Sequence, residues 1–174
     1  MRINFIVEDF SVFLGALIDE PAFQRVKGYV ELARASADCR ILTGGECDAS
    51  EGWFVSPTIV ETSDPRHRLM QEEIFGPLLT VFVYADARLG EALDLCASTS
   101  PYGLTGALFA QDRAAIADIT RRLADAAGDF YVNDKPTGAV VGQQPFGGGR
   151  ASGTNDKAGS SANLLRWTSV RVIK

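Results

Sequence analysis

The chain has 174 residues, enough for one domain with its own core. Hydrophobic residues make up 46% and charged residues 22%, the balance of a globular protein. The net charge of −5 and the pI of about 4.9 argue against a reader of phosphate backbones, which carries a basic stripe; here only Arg121 and Arg122 are adjacent.

The opening run Met1 to Val7 is cut off at once by Glu8 and Asp9, too short for a signal peptide, and no apolar run approaches the ~20 residues of a membrane span. A reducing cytoplasm is the expected address. Asp19 to Ala37 reads as a helix: Phe23, Val26, Val30 and Ala33 recur at the spacing of one buried face. Asp19 is its expected cap, and Pro21 suits its first turn. Short runs rich in β-branched and aromatic residues follow: Arg40 to Leu42, then Phe54-Val55 with Thr58 to Val60. Leu78 to Tyr84, "LLTVFVY", is nearly continuous rather than alternating, which suits a strand covered on both faces. Leu89 to Ala97 is helical, with Leu89, Leu93 and Cys96 on one side. Leu104 to Ala110 is the next strand. Asp112 to Ala127 is a helix with Ile116, Ile119, Leu123 and Ala126 on one face, Asp112 as cap and Gly128 as stop. Phe130 to Val132 is a further strand. From Leu78 to Val132 this order reads as two linked βαβ units. Leu164 to Ile173 fits either a strand or a helix–strand mix. The fold class is α/β: an open, mainly parallel sheet flanked by helices.

Conventional catalytic sets are scarce. Cys39, Cys47 and Cys96 form no CxxC and are read as buried or incidental thiols. A triad or a metal site would rest on His67 alone, which falls in the charged, Pro-containing "SDPRHRLM" and is read as a surface residue.

Two stretches carry chemistry. In "MQEEIFGPLLTVFVY", Gly76-Pro77 forces a turn that presents Glu72, Glu73 and Phe75 at the end of a strand, where ligands gather in open α/β sheets. A carboxylate there can accept hydrogen bonds from ribose hydroxyls, and Phe75 can cover a flat ring. A merely solvated glutamate pair is the plain alternative. The second stretch is "GQQPFGGGRASGTNDKAGS", Gly142 to Ser160, long and polar yet flanked by apolar segments. Its "AGSS", Ala158 to Ser161, suits an anion-binding nest of backbone N–H groups, with Asn155 and Asp156 closing the loop. A flexible surface loop is the alternative. Neither GxGxxG nor GxxxxGK[ST] occurs, so dinucleotide-phosphate binding by this chain alone has no support.

"EEIFGP", "YGLTGALFAQD", "GDFYVND", "GQQPFGGGRASGTNDKAG" and "LLRWTS" follow one another in an order and spacing that resembles the aldehyde dehydrogenase superfamily. "NDKPTGAVVGQQPFGGGRASGTNDKAG" is similar to its L-glutamate γ-semialdehyde (Δ1-pyrroline-5-carboxylate) dehydrogenases, and the Ala- and Arg-rich wording resembles bacterial members. The resemblance covers Val7 to Lys174 and makes residues 1–174 a partial catalytic domain ending in a possible oligomerisation strand, with residues 1–6 a non-family start. It implies NAD as cofactor, the semialdehyde as substrate, glutamate as product, a place in proline catabolism, and a mitochondrial matrix address in a eukaryote. In that family a cysteine thiolate attacks the aldehyde, hydride passes to the nicotinamide, and a glutamate-activated water hydrolyses the thioester. By the same resemblance Glu73 holds the nicotinamide-side ribose and Phe75 packs near the nicotinamide. The N–H groups of Gly159 and Ser160, with the Ser160 side chain, grip the substrate carboxylate. Trp167 packs the aliphatic chain, and Phe146 lines the same mouth.

The resemblance also places the nucleophile and the general base upstream of Met1. The chain is therefore expected to form about the last third of the family protein and to be inactive alone. The competing expectation is a non-catalytic relic, or an assembly module pairing with a full-length dehydrogenase or with its own copy.

Overall fold

The computed structural model describes residues 13–136, 139–140 and 142–174; the non-family start at residues 1–6 lies outside them. The chain divides into two compact units, Met1–Ala85 and Asp86–Lys174.

The first unit is built on α1, Glu20–Ala35. Asp19 caps it as expected, accepting the Ala22 N–H at 2.8 Å. Phe23, Val26, Val30 and Ala33 are all buried, so the periodicity identified the inward face. β1 (Cys39–Thr43) runs antiparallel to β4 (Thr58–Thr62), and β4 runs parallel to β5 (Leu78–Phe82). β4 alternates, with Thr58, Val60 and Thr62 buried. A small antiparallel pair, β2 (Cys47–Asp48) with β3 (Phe54–Val55), completes the unit and carries Cys47. The core joins Phe23, Val26, Ala33, Val55, Val60, Leu69 and Ile74. The expectation that β5 is covered on both faces is not met: Leu79 is 60% exposed and Val83, just beyond the strand, 68%. An apolar run is compatible with double coverage but supplies no covering layer.

A single turn, α2 (Arg68–Gln71), precedes the Glu72–Pro77 loop. His67 is its cap and is half-buried rather than a surface residue. Its Nδ1 accepts the Leu69 N–H at 3.2 Å, and its Nε2 is 3.7 Å from Cys39 Sγ.

In the second unit α3 covers Leu89–Ser98. β7 (Thr105–Leu108) and β8 (Asp129–Val132) are parallel and joined through α4 (Arg113–Arg122), as the second expected βαβ unit requires. The first expected unit straddles the boundary between the two compact units. Asp112 caps α4 through the Ala114 N–H. The helix ends at Arg122 rather than reaching Gly128. Leu123 leaves helical geometry at φ −99° and ψ 15° and is buried with Leu93 and Ile119, so packing overrides a helix-favouring Ala-rich tail. β6 (Tyr102–Gly103) pairs antiparallel with β9 (Gly149–Arg150). The end is α5 (Ser161–Leu164), then the 3-10 turn Leu165–Trp167; residues 168–174 have no regular structure. The helix half of the expected mix is present. A strand needs a ladder partner, and residues 168–174 have none among the described residues.

Candidate functional site

The first unit presents the Glu72–Gly76 loop on the wall of an open hollow of about 400 Å³, lined also by Leu69, Leu78 and Thr80. The two glutamates are not equivalent. Glu72 is engaged by Arg68, Nε to Oε1 at 3.0 Å and Nη2 to Oε2 at 2.9 Å, and by Tyr29 Oη at 2.6 Å. Its carboxyl is held below the usual range, chiefly by the Arg68 hydrogen bond and then by Tyr29. Glu73 is exposed and makes no such bonds among the described residues, so the solvated pair is really one structural carboxylate and one available one.

Phe75 has φ +56°, a left-handed conformation unusual for a bulky residue, and its side chain is 78% exposed. Strain of this kind persists where surrounding structure over-determines it, commonly at ligand sites. Thr80 adds a buried hydroxyl with no hydrogen-bond partner, beneath the same wall. An exposed carboxylate and an exposed aromatic ring suit a ligand with hydroxyl groups and a flat ring.

In the second unit the long polar loop is tied down. Phe146 and Ala158 exchange backbone hydrogen bonds of 2.9 and 2.7 Å, closing the loop like a short ladder. The Gly147 N–H donates to Asp129 Oδ2 at 3.0 Å, and Lys157 Nζ reaches the Asp129 carboxylate and the Gly128 carbonyl. Gly128 allows the approach: a Cβ there would lie 1.9 Å from the Gly147 oxygen. The closure differs from the one expected. Asp129 and Lys157 close the loop, while Asp156 bonds Thr154 and pairs with Arg166 at 3.2 Å.

Gly159 has φ +83°, and its N–H makes no hydrogen bond among the described residues. Ser160 caps α5 by position but turns back: its N–H and Oγ donate to the Lys157 carbonyl at 3.1 and 2.8 Å. Of the expected anchor donors, Gly159 N–H is available, while the Ser160 pair is engaged locally. The bridge brings half-buried Phe146 beside Ala158-Gly159. Trp167, on the 3-10 turn beyond α5, is 82% exposed.

Sequence reasoning missed Tyr29, Arg68, Asp129 and Lys157. Only the fold brings α1 to the Glu72 loop and β8 to Lys157. Desolvation raises the thiols of Cys47 and Cys96, the reverse of an activated nucleophile. Among the described residues no group of three or more His, Cys, Asp or Glu gathers as metal ligands, and no helix is long and apolar enough to cross a membrane.

The aldehyde dehydrogenase family model matches residues 6–173, and the chain belongs to that family. Within it the similarity is to the pyrroline-carboxylate branch. The mitochondrial delta-1-pyrroline-5-carboxylate dehydrogenase of Dictyostelium discoideum is 58% identical over 96% of this chain and 30% of its own length, and the Homo sapiens protein of that name is 56% identical over the same shares. The crystal structure of the Mycobacterium tuberculosis delta-pyrroline-5-carboxylate dehydrogenase bound with NAD superposes with a TM-score of 0.85, at 53% identity over 98% of this chain and 30% of that one. The chain thus spans about 30% of the length of these relatives, and it shares their fold.

Proposed function

We propose that this chain is the segment of an NAD-dependent L-glutamate γ-semialdehyde dehydrogenase that supplies a cofactor contact from its first unit and a substrate-carboxylate anchor from its second. The observation that carries the reading is Phe75: a strained, outward aromatic next to the exposed Glu73, in a chain 53% identical to an NAD-bound structure. Glu73 accepts hydrogen bonds from ribose hydroxyls, and Phe75 covers the flat ring. When bound, NAD accepts the hydride. In the second unit the Gly159 N–H meets a carboxylate directly. Ser160 joins it once its hydroxyl rotates away from the Lys157 carbonyl. Trp167 and Phe146 offer apolar surface to the aliphatic chain.

The test replaces the matching stretch of the Mycobacterium tuberculosis relative with this chain and follows NADH formation from the semialdehyde. Turnover that falls with Ser160→Ala, and falls less for aldehydes lacking the carboxylate, is the expected result. A folded chimera indifferent to the carboxylate overturns the anchor. The chain alone is expected to form no NADH.

A second reading, pairing through the C-terminal segment, is favoured by one observation: Val170, Val172 and Ile173 are all more than 80% exposed. Co-elution with a full-length dehydrogenase, lost on deleting residues 168–174, is its expected signature; a monomer at all concentrations removes it.

A further inference from the structure

Helix α1 grips the loop on both sides of Phe75. Before it, Arg25 Nε donates to the Ile74 carbonyl at 3.2 Å. One helical turn along the same face, Tyr29 Oη donates to Glu72 at 2.6 Å. Arg68 steadies that pair, with its guanidinium carbon 6.0 Å from the Tyr29 ring centroid. After Phe75, Gly76 lies directly on the fully buried Val26: a Cβ at Gly76 would come within 2.4 Å of Val26 Cγ2. Ile74, between these points, is buried in the core. Residues 72, 74 and 76 are thus fixed from α1 and the core, while 73 and 75 are left pointing outward. A chain pinned at alternate residues has little slack, which accounts for the left-handed φ of Phe75.

We infer that Arg25, Tyr29 and Gly76 are positioning residues for cofactor binding: acting through the backbone, they hold Glu73 and Phe75 in the conformation that meets NAD. The inference rests on the cofactor reading above. It gives Glu72 and Glu73 separate duties, the first to anchor the loop and the second to meet the ligand.

The experiment titrates NAD into the ¹⁵N-labelled chimera described above, in which this chain replaces the matching stretch of the Mycobacterium tuberculosis relative, following the backbone amides of Glu73 and Phe75. The variants are Tyr29→Phe, Arg25→Met and Arg25→Lys, with Glu31→Gln as control on the same helix. Tyr29→Phe removes one hydroxyl from a surface hydrogen bond and leaves the core untouched. In the wild type NAD is expected to shift both amides. Tyr29→Phe and Arg25→Met each weaken binding roughly two- to tenfold, the range for losing one such hydrogen bond. Both also move the Glu73 and Phe75 signals before any NAD is added, while signals from β1 and β4 stay in place. Arg25→Lys, which keeps a donor, recovers most of the affinity, and Glu31→Gln changes nothing. Wild-type affinity in both Tyr29→Phe and Arg25→Met overturns the inference even if their melting temperatures fall, because the contacts then serve stability alone. If NAD moves neither amide in the wild type, the cofactor reading fails, and the inference falls with it.

Discussion

The Asp129 carboxylate stands 3.7 Å from the Lys157 ammonium and so joins the first residue of β8 to the far end of the polar loop. The Asp129 side chain is only 12% exposed. Truncating it leaves the Lys157 ammonium and the Gly147 N–H without this acceptor. Asp129→Ala is expected to cost about 2 kcal/mol. Amide hydrogen exchange distinguishes a local from a global effect: the Phe146 and Ala158 N–H groups lose protection first, while α3 and α4 keep theirs.

Gly128 is a second, steric control of the same loop. A methyl group there meets the Gly147 carbonyl at 1.9 Å, and that carbonyl belongs to backbone already bonded to Asp129. Gly128→Ala is expected to destabilise by about 3 kcal/mol or to displace the loop outright. Urea unfolding gives the first result, and rapid proteolysis within residues 142–160 the second.

Gly28 is the opposite case. It lies inside α1, and a Cβ there meets nothing within 4 Å. Gly28→Ala is expected to stabilise by about 1 kcal/mol through helix propensity alone. Calorimetry is the measurement. A lowered melting temperature means the position has a role beyond the helix.

Glu72 sets an acid limb. Its carboxyl is held below the ordinary value of 4.5, first by Arg68 and then by Tyr29. A depressed folded pKa contributes stability that is fully present above the unfolded value and is lost as pH falls through the folded one. Wild type is therefore expected to exceed Glu72→Gln in stability near neutrality and to converge with it below pH 4.5. Thermal melts of both proteins across that range check this. A gap that persists in acid assigns the effect to packing.

Local physics was enough for much of this chain. The spacing of Phe23, Val26, Val30 and Ala33 determined the buried face of α1, and Asp19 and Asp112 determined where two helices begin, because capping and amphipathicity act within one or two turns. The motif order likewise determined the family, and the turn chemistry of Gly76-Pro77 and of Ala158 to Ser161 marked Glu72, Glu73, Phe75 and Gly159 as loop candidates without telling which glutamate is free. Contacts between distant segments decided the rest. Tyr29 reaching Glu72, Asp129 reaching Lys157, and Leu93 packing with Leu123 each join residues whose spacing along the chain carries no signal. The same limit explains Leu79 and Val83: a strand's sequence records how apolar it is, and only the tertiary structure decides what covers it.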